Sequence, residues 1–130
     1  ITVLSGMSTM EQVLDNISYM KDFKPLSKEE QNTIKEAQKA LDAIESIPCT
    51  ACRYCTPGCP MGIEIPDIFK AMNWYKIYGM KDKAKDRYES TVQKSAKASE
   101  CIECGQCEGV CPQQLPIIKY LKECADVLEE

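Results

Sequence analysis

The chain has 130 residues, enough for one ordinary domain or two small ones, with 16 basic and 20 acidic side chains, nine cysteines and no histidine. Without histidine there is no Ser-His-Asp or Cys-His machinery, no imidazole proton shuttle and no Cys₂His₂ or His₃ zinc site. The formal charge of −4 and the pI near 5.0 argue against nucleic acid and membrane surfaces as partners, and no apolar stretch approaches the roughly 18 to 20 residues of a membrane span.

In chain order, Ile1 to Leu4 is a short β-branched run, too short to judge alone. Residues 1–10 lack a basic leader and a long apolar region, so a cytoplasmic location is expected, and the missing initiator Met suggests a fragment. Ser8-Thr9-Met10-Glu11 reads as a capping box, and Met10, Val13, Leu14, Ile17 and Met20 predict a helix over about 9–21. A second box, Ser27-x-x-Glu30, opens a helix with Ile34, Ala37, Leu41 and Ile44 on one face, which Pro48 must stop.

Pro66 suits the first turn of a third helix, with Ile68, Phe69, Met72 and Tyr75 inward and Gly79 as the stop. Residues 80–97 are heavily charged, with only Ala84, Tyr88 and Thr91 as an apolar edge. They read as a solvated helix or spacer, or alternatively as a docking face for a redox partner. A last helix from Pro116 to about Leu128 carries Ile117, Leu121, Cys124 and Leu128 on one face, so Cys124 reads as core filler.

The other eight cysteines form two identical words, C-x₂-C-x₂-C-x₃-C-P: Cys49, Cys52, Cys55, Cys59 and Pro60, then Cys101, Cys104, Cys107, Cys111 and Pro112, displaced by 52 residues throughout. An internal duplication is the simplest account. Ile-Pro-Asp-Ile at 65–68 and Leu-Pro-Ile-Ile at 115–118 read as its continuation. Thiolates at i, i+3 and i+6 can converge on three corners of one cubane. In the bacterial two-cluster arrangement the fourth cysteine serves the other cluster.

The expected ligand sets are therefore crossed: Cys49, Cys52, Cys55 and Cys111 for cluster I, and Cys101, Cys104, Cys107 and Cys59 for cluster II, both [4Fe-4S]. Disulfides would need awkward pairing three residues apart, and structural zinc usually comes as two separated C-x₂-C knuckles. Gly58, Gly62, Gly105 and Gly109 are expected to allow close backbone approach. Ile63, Ile65, Ile102, Val110 and Leu115 are expected to shield the clusters, and Tyr54 either packs over cluster I or anchors its loop.

The 41 residues between Cys59 and Cys101 look helical, unlike the close spacing of small β-rich ferredoxins, so the expected fold is mostly α and helical-ferredoxin-like. Two clusters held together make an electron relay; a free-standing ferredoxin, an electron-transfer subunit and a zinc-bound structural module are the alternatives. Each oxidised Cys₄ cluster carries about −2, which brings the loaded module near −8 and calls for a partner with a positive face.

The segment Pro48 to Pro66, with Cys101-Ile-Glu-Cys-Gly-Gln-Cys-Glu-Gly-Val-Cys-Pro112, resembles the carboxy-terminal ferredoxin extension of the iron–sulfur branch of the aldo/keto reductase family. Residues 1–16 are similar to the last barrel strand of those enzymes and the start of the next helix. The resemblance implies that residues 1–47 are the tail of a (β/α)₈ barrel, a short strand followed by two helices, and that residues 48–130 are a helical two-cluster domain. It implies an oxidoreductase parent whose catalytic Asp, Tyr, Lys and His lie upstream, so that this chain is not an enzyme by itself. Its partner would be that N-terminal barrel or a separate redox protein. The family's loop grips the NADPH 2′-phosphate with a Lys and an Arg; Gly6 and Gln12 stand there instead, while Asp15 and Asn16 match the acid and amide near the adenine. NAD(P) would belong only to the longer parent.

Overall fold

The computed structural model describes residues 4–130, and the chain divides into two compact units, Ile1–Asp42 and Ala43–Glu130. Among the described residues every regular element is helical and there is no strand. The expected strand at residues 1–4 has its first three positions outside the described residues, and Leu4 carries no regular structure.

The first unit holds α1 (Met10–Lys21) and α2 (Lys28–Asp42). The box that opens α1 lies one residue later than the sequence suggests: Gln12 N–H donates to Thr9 Oγ1 at 3.3 Å, and Thr9 N–H donates to Gln12 Oε1 at 3.2 Å. The box at α2 is as expected, with Glu30 N–H donating to Ser27 Oγ at 3.2 Å and Ser27 N–H to Glu30 Oε2 at 2.7 Å. Helix α2 ends at Asp42, ahead of the Pro48 stop, so Ile44 lies outside it. Neither helix has a buried residue, and the apolar stripes through Leu14, Ile17 and Leu41 are exposed.

The second unit is built on α3 (Ile65–Tyr78), α4 (Lys81–Val92), a 3-10 turn (Ala98–Glu100), the single turn α5 (Gln106–Gly109) and α6 (Ile117–Leu128). Helix α3 packs against both α4 and α6. It buries Ile68, Phe69 and Met72, each side chain contributing roughly 1.5–3 kcal/mol through burial. Tyr75, expected inward, is exposed. Gly79 closes the helix in the left-handed region at φ 67°; its N–H donates to the Tyr75 carbonyl at 2.8 Å and that of Met80 to Trp74 at 3.3 Å, which satisfies the last carbonyls. Helix α4 buries only Ala84 and Tyr88, and Arg87 lies 4.8 Å over the Trp74 ring. Ile47, placed by sequence in the first segment, is buried in the core of this unit.

Candidate iron–sulfur centres

Each cysteine word folds into a loop whose backbone is repeated in the other. Left-handed residues fall at Ala51 (φ 55°), Arg53 (63°) and Gly62 (67°) in the first copy and at Glu103 (56°), Gly105 (76°) and Gln114 (51°) in the second, the same three positions. Alternating left-handed residues turn successive amides toward one concave side, the backbone nest that many iron–sulfur sites use. Of the four expected glycines, Gly62 and Gly105 fill left-handed positions, whereas Gly58 and Gly109 do not, and no backbone crowds them.

The hydrogen bonds repeat as well. Cys59 N–H donates to the Thr56 carbonyl at 3.1 Å and Cys111 N–H to that of Glu108 at 3.3 Å. Ile65 N–H donates to the Ile63 carbonyl at 2.9 Å and Ile117 N–H to that of Leu115 at 2.8 Å. The 52-residue register thus runs on into α3 and α6. This corrects the pairing of Pro66 with Pro116: the counterpart of Pro116 is Glu64, and both take the same tight-turn conformation, φ −74° and ψ 73° against φ −79° and ψ 65°.

Two cavities lie against these loops. One is lined by Cys49, Cys52, Cys55 and Cys111. The other is lined by Cys59, Cys101, Cys104 and Cys107. Every residue lining the second is the 52-residue counterpart of one lining the first, and Ile65 lines both. All eight predicted cysteines are thus brought together in two groups, each holding three from one word and the last from the other. Among the described residues no three Cys, Asp or Glu side chains close on a single-ion point.

The chemistry of the walls fits an iron–sulfur cluster. Burial raises the Cys49 and Cys55 thiols above their ordinary range and pushes Cys107 up to about 11. Metal ligation is what turns such thiols into thiolates at neutral pH. The Ala51 N–H beside the Cys49 sulfur opposes part of that rise. The Thr56 hydroxyl is buried with no nitrogen or oxygen partner and lies against the Cys55 sulfur, a donor that a thiolate would satisfy.

Ile63, Ile65 and Leu115 are buried beside the cavities as expected, but Ile102 at 59% exposure and Val110 at 51% are open to solvent. Ile102 still borders one cavity, whereas Tyr54 is exposed and borders neither. Both outward residues sit on short loops with no element over them, and apolar character does not itself ensure burial. Cys124 is fully buried on α6, away from both cavities, and burial pushes its thiol up to about 12.

Sequence reasoning missed Asn73 and Thr56. A lone Asn on a helix gives no signal, and Thr56 is visible only as a polar residue next to a cysteine.

Residues 48–116 match the family described as the 4Fe-4S dicluster domain. Among curated relatives, the chain is 27% identical over 96 residues to a protein of Buchnera aphidicola named as one subunit of an ion-translocating oxidoreductase complex, covering 74% of this chain and 18% of that protein. It is 30% identical over 103 residues to "Probable glycolate oxidase iron-sulfur subunit" of Bacillus subtilis, covering 79% of this chain and 22% of that protein. The chain spans about a fifth of the length of these relatives. No solved structure matches.

The chain belongs to the 4Fe-4S dicluster domain family. It is an iron–sulfur electron-transfer module that carries two [4Fe-4S] clusters.

Proposed function

We propose that the eight cysteines of the two words are the ligands, in crossed sets: Cys49, Cys52, Cys55 and Cys111 for cluster I, and Cys101, Cys104, Cys107 and Cys59 for cluster II. The observation that carries this reading is the mixed lining of the two cavities. When bound, the clusters store and pass single electrons with little rearrangement. The protein's part is to hold and tune them. Ala51 N–H and the Thr56 hydroxyl are donors beside the cysteine sulfurs that a thiolate would draw on, Ile63 and Leu115 keep water out, and Ile65 lines both sites.

Alkylation mapping tests the crossing. In Cys111→Ser, loss of one cluster should expose Cys49, Cys52 and Cys55 to iodoacetamide and leave Cys101, Cys104 and Cys107 protected. The reverse pattern contradicts crossed ligation.

The module is further read as the C-terminal part of an aldo/keto-reductase-family oxidoreductase, with residues 1–47 as the barrel tail, residues 48–130 as the two-cluster domain, and any NAD(P) held upstream. The resemblance supports this, as do the exposed apolar stripes of α1 and α2, which a further protein layer would cover. A second reading, a separate subunit delivering electrons to a catalytic partner, is favoured by the relatives, both of which are named as subunits. An immunoblot of the native polypeptide separates them. A longer chain containing the barrel supports the first, and a chain near 14.6 kDa that co-purifies with a catalytic subunit supports the second.

A further inference from the structure

The two sites share one backbone but not one chemistry. At the same positions of the repeat, the cavity ringed by Cys49, Cys52, Cys55 and Cys111 is bordered by Thr50, Arg53 and Gln113, and the other by Ile102, Gly105 and Met61. Behind these, the Thr56 hydroxyl at the first site has the Glu108 carboxylate as its counterpart, held by the Ile118 N–H at 2.9 Å. Between the first two cysteines, Ala51 is matched by Glu103, which pairs with Lys122 at 2.9 Å. The Arg53 guanidinium is gripped by Glu64 and Asp67 at 2.8 Å in the outer groove, which offsets its charge.

Reduction adds one negative charge to a cluster. A hydroxyl beside the cysteine sulfur and a polar rim favour that charge, whereas an apolar rim and the Glu108 carboxylate oppose it. We propose that the site formed by Cys49, Cys52, Cys55 and Cys111 is reduced first, and that Thr50 and Thr56 set this order. The step takes one electron from a one-electron donor, and no bond is made or broken.

This rests on the crossed ligation above and is tested by potentiometric titration of the anaerobically reconstituted chain, followed by EPR. Two resolved one-electron steps are expected. Thr50→Val and Thr56→Val keep the side-chain shape and remove the hydroxyl. Each should move the upper step to lower potential and leave the lower one in place, while Ile102→Thr should raise the lower step. Coincident steps in the unmodified chain, or Thr50→Val and Thr56→Val acting on the lower step, overturn the order. A chain without two reducible centres overturns the functional reading itself.

Discussion

Asn73 grips the peptide of Ile47 by both of its bonding groups: Ile47 N–H donates to Asn73 Oδ1 at 2.7 Å, and Asn73 Nδ2 donates to the Ile47 carbonyl at 2.9 Å. Because Cys49 follows two residues later, this clamp ties the start of the first cysteine loop to α3. Its counterpart in the second copy is Ala125; there Ser99, the counterpart of Ile47, is held instead by the Glu129 carboxylate, which accepts its N–H at 3.0 Å.

Asn73→Ala leaves the buried Ile47 N–H unpaired, at a cost of about 1–3 kcal/mol, while the Ile47 carbonyl keeps the Cys49 N–H at 2.8 Å. The apo chain should unfold at lower denaturant. In the loaded protein a chelator should remove iron from the site containing Cys49 faster than from the other. Equal rates at both sites would show that the clamp does not position the loop.

Phe69 and its counterpart Leu121 are both fully buried and each lines one cavity; Phe69 also packs edge-on against Tyr120, with ring centres 5.8 Å apart. Phe69→Ala should cost roughly 3–5 kcal/mol and Leu121→Ala roughly 2–5 kcal/mol. Denaturant melts of both variants check this, and losses under about 1 kcal/mol would mean that the core collapses around the gap.

Cys124 is inaccessible, with a thiol pushed up to about 12 by burial. Cys124→Ala should keep the full iron and sulfide content and lose only a small amount of packing stability. In the folded, loaded protein Cys124 should resist iodoacetamide; rapid alkylation would show that α6 opens readily.

Glu129 joins the end of α6 to the turn that precedes Cys101, accepting from Ser99 N–H at 3.0 Å and Ser99 Oγ at 2.6 Å, and also from the Tyr88 hydroxyl. Burial alone would raise its carboxyl, but the Ser99 and Tyr88 hydrogen bonds outweigh it and hold the group below its ordinary value. A depressed folded value means that this contribution is present above the unfolded carboxylate range, near pH 4.3, and is lost as pH falls through the folded value. Burial also raises the Tyr88 hydroxyl, so its contribution is present below about pH 10 and lost above it. Protection of the Ser99 amide from hydrogen exchange should therefore drop in acid, after correction for intrinsic rates, and Glu129→Gln should abolish that dependence. Acid-insensitive protection in the unmodified chain would contradict this.

The cysteine grouping and helices α1, α3 and α6 are legible because spacing, capping residues and apolar period carry them. The continuation of the repeat is not, because prolines attract the comparison: Pro66 and Pro116 look equivalent, yet the shared turn is made by Glu64 and Pro116. The left-handed residues Ala51, Arg53, Glu103 and Gln114 carry no glycine signal, since the constraint that fixes them is the tertiary shape of the loop. Ile102 and Val110 are misjudged because burial depends on what packs above a loop, which composition does not state.

Anaerobic reconstitution with iron and sulfide analysis, followed by EPR after dithionite reduction, tests the central claim most directly. The expected result is about eight iron and eight sulfide per chain, with spin-coupled signals from two neighbouring reduced clusters. Zinc without sulfide, or a single uncoupled centre, would contradict it.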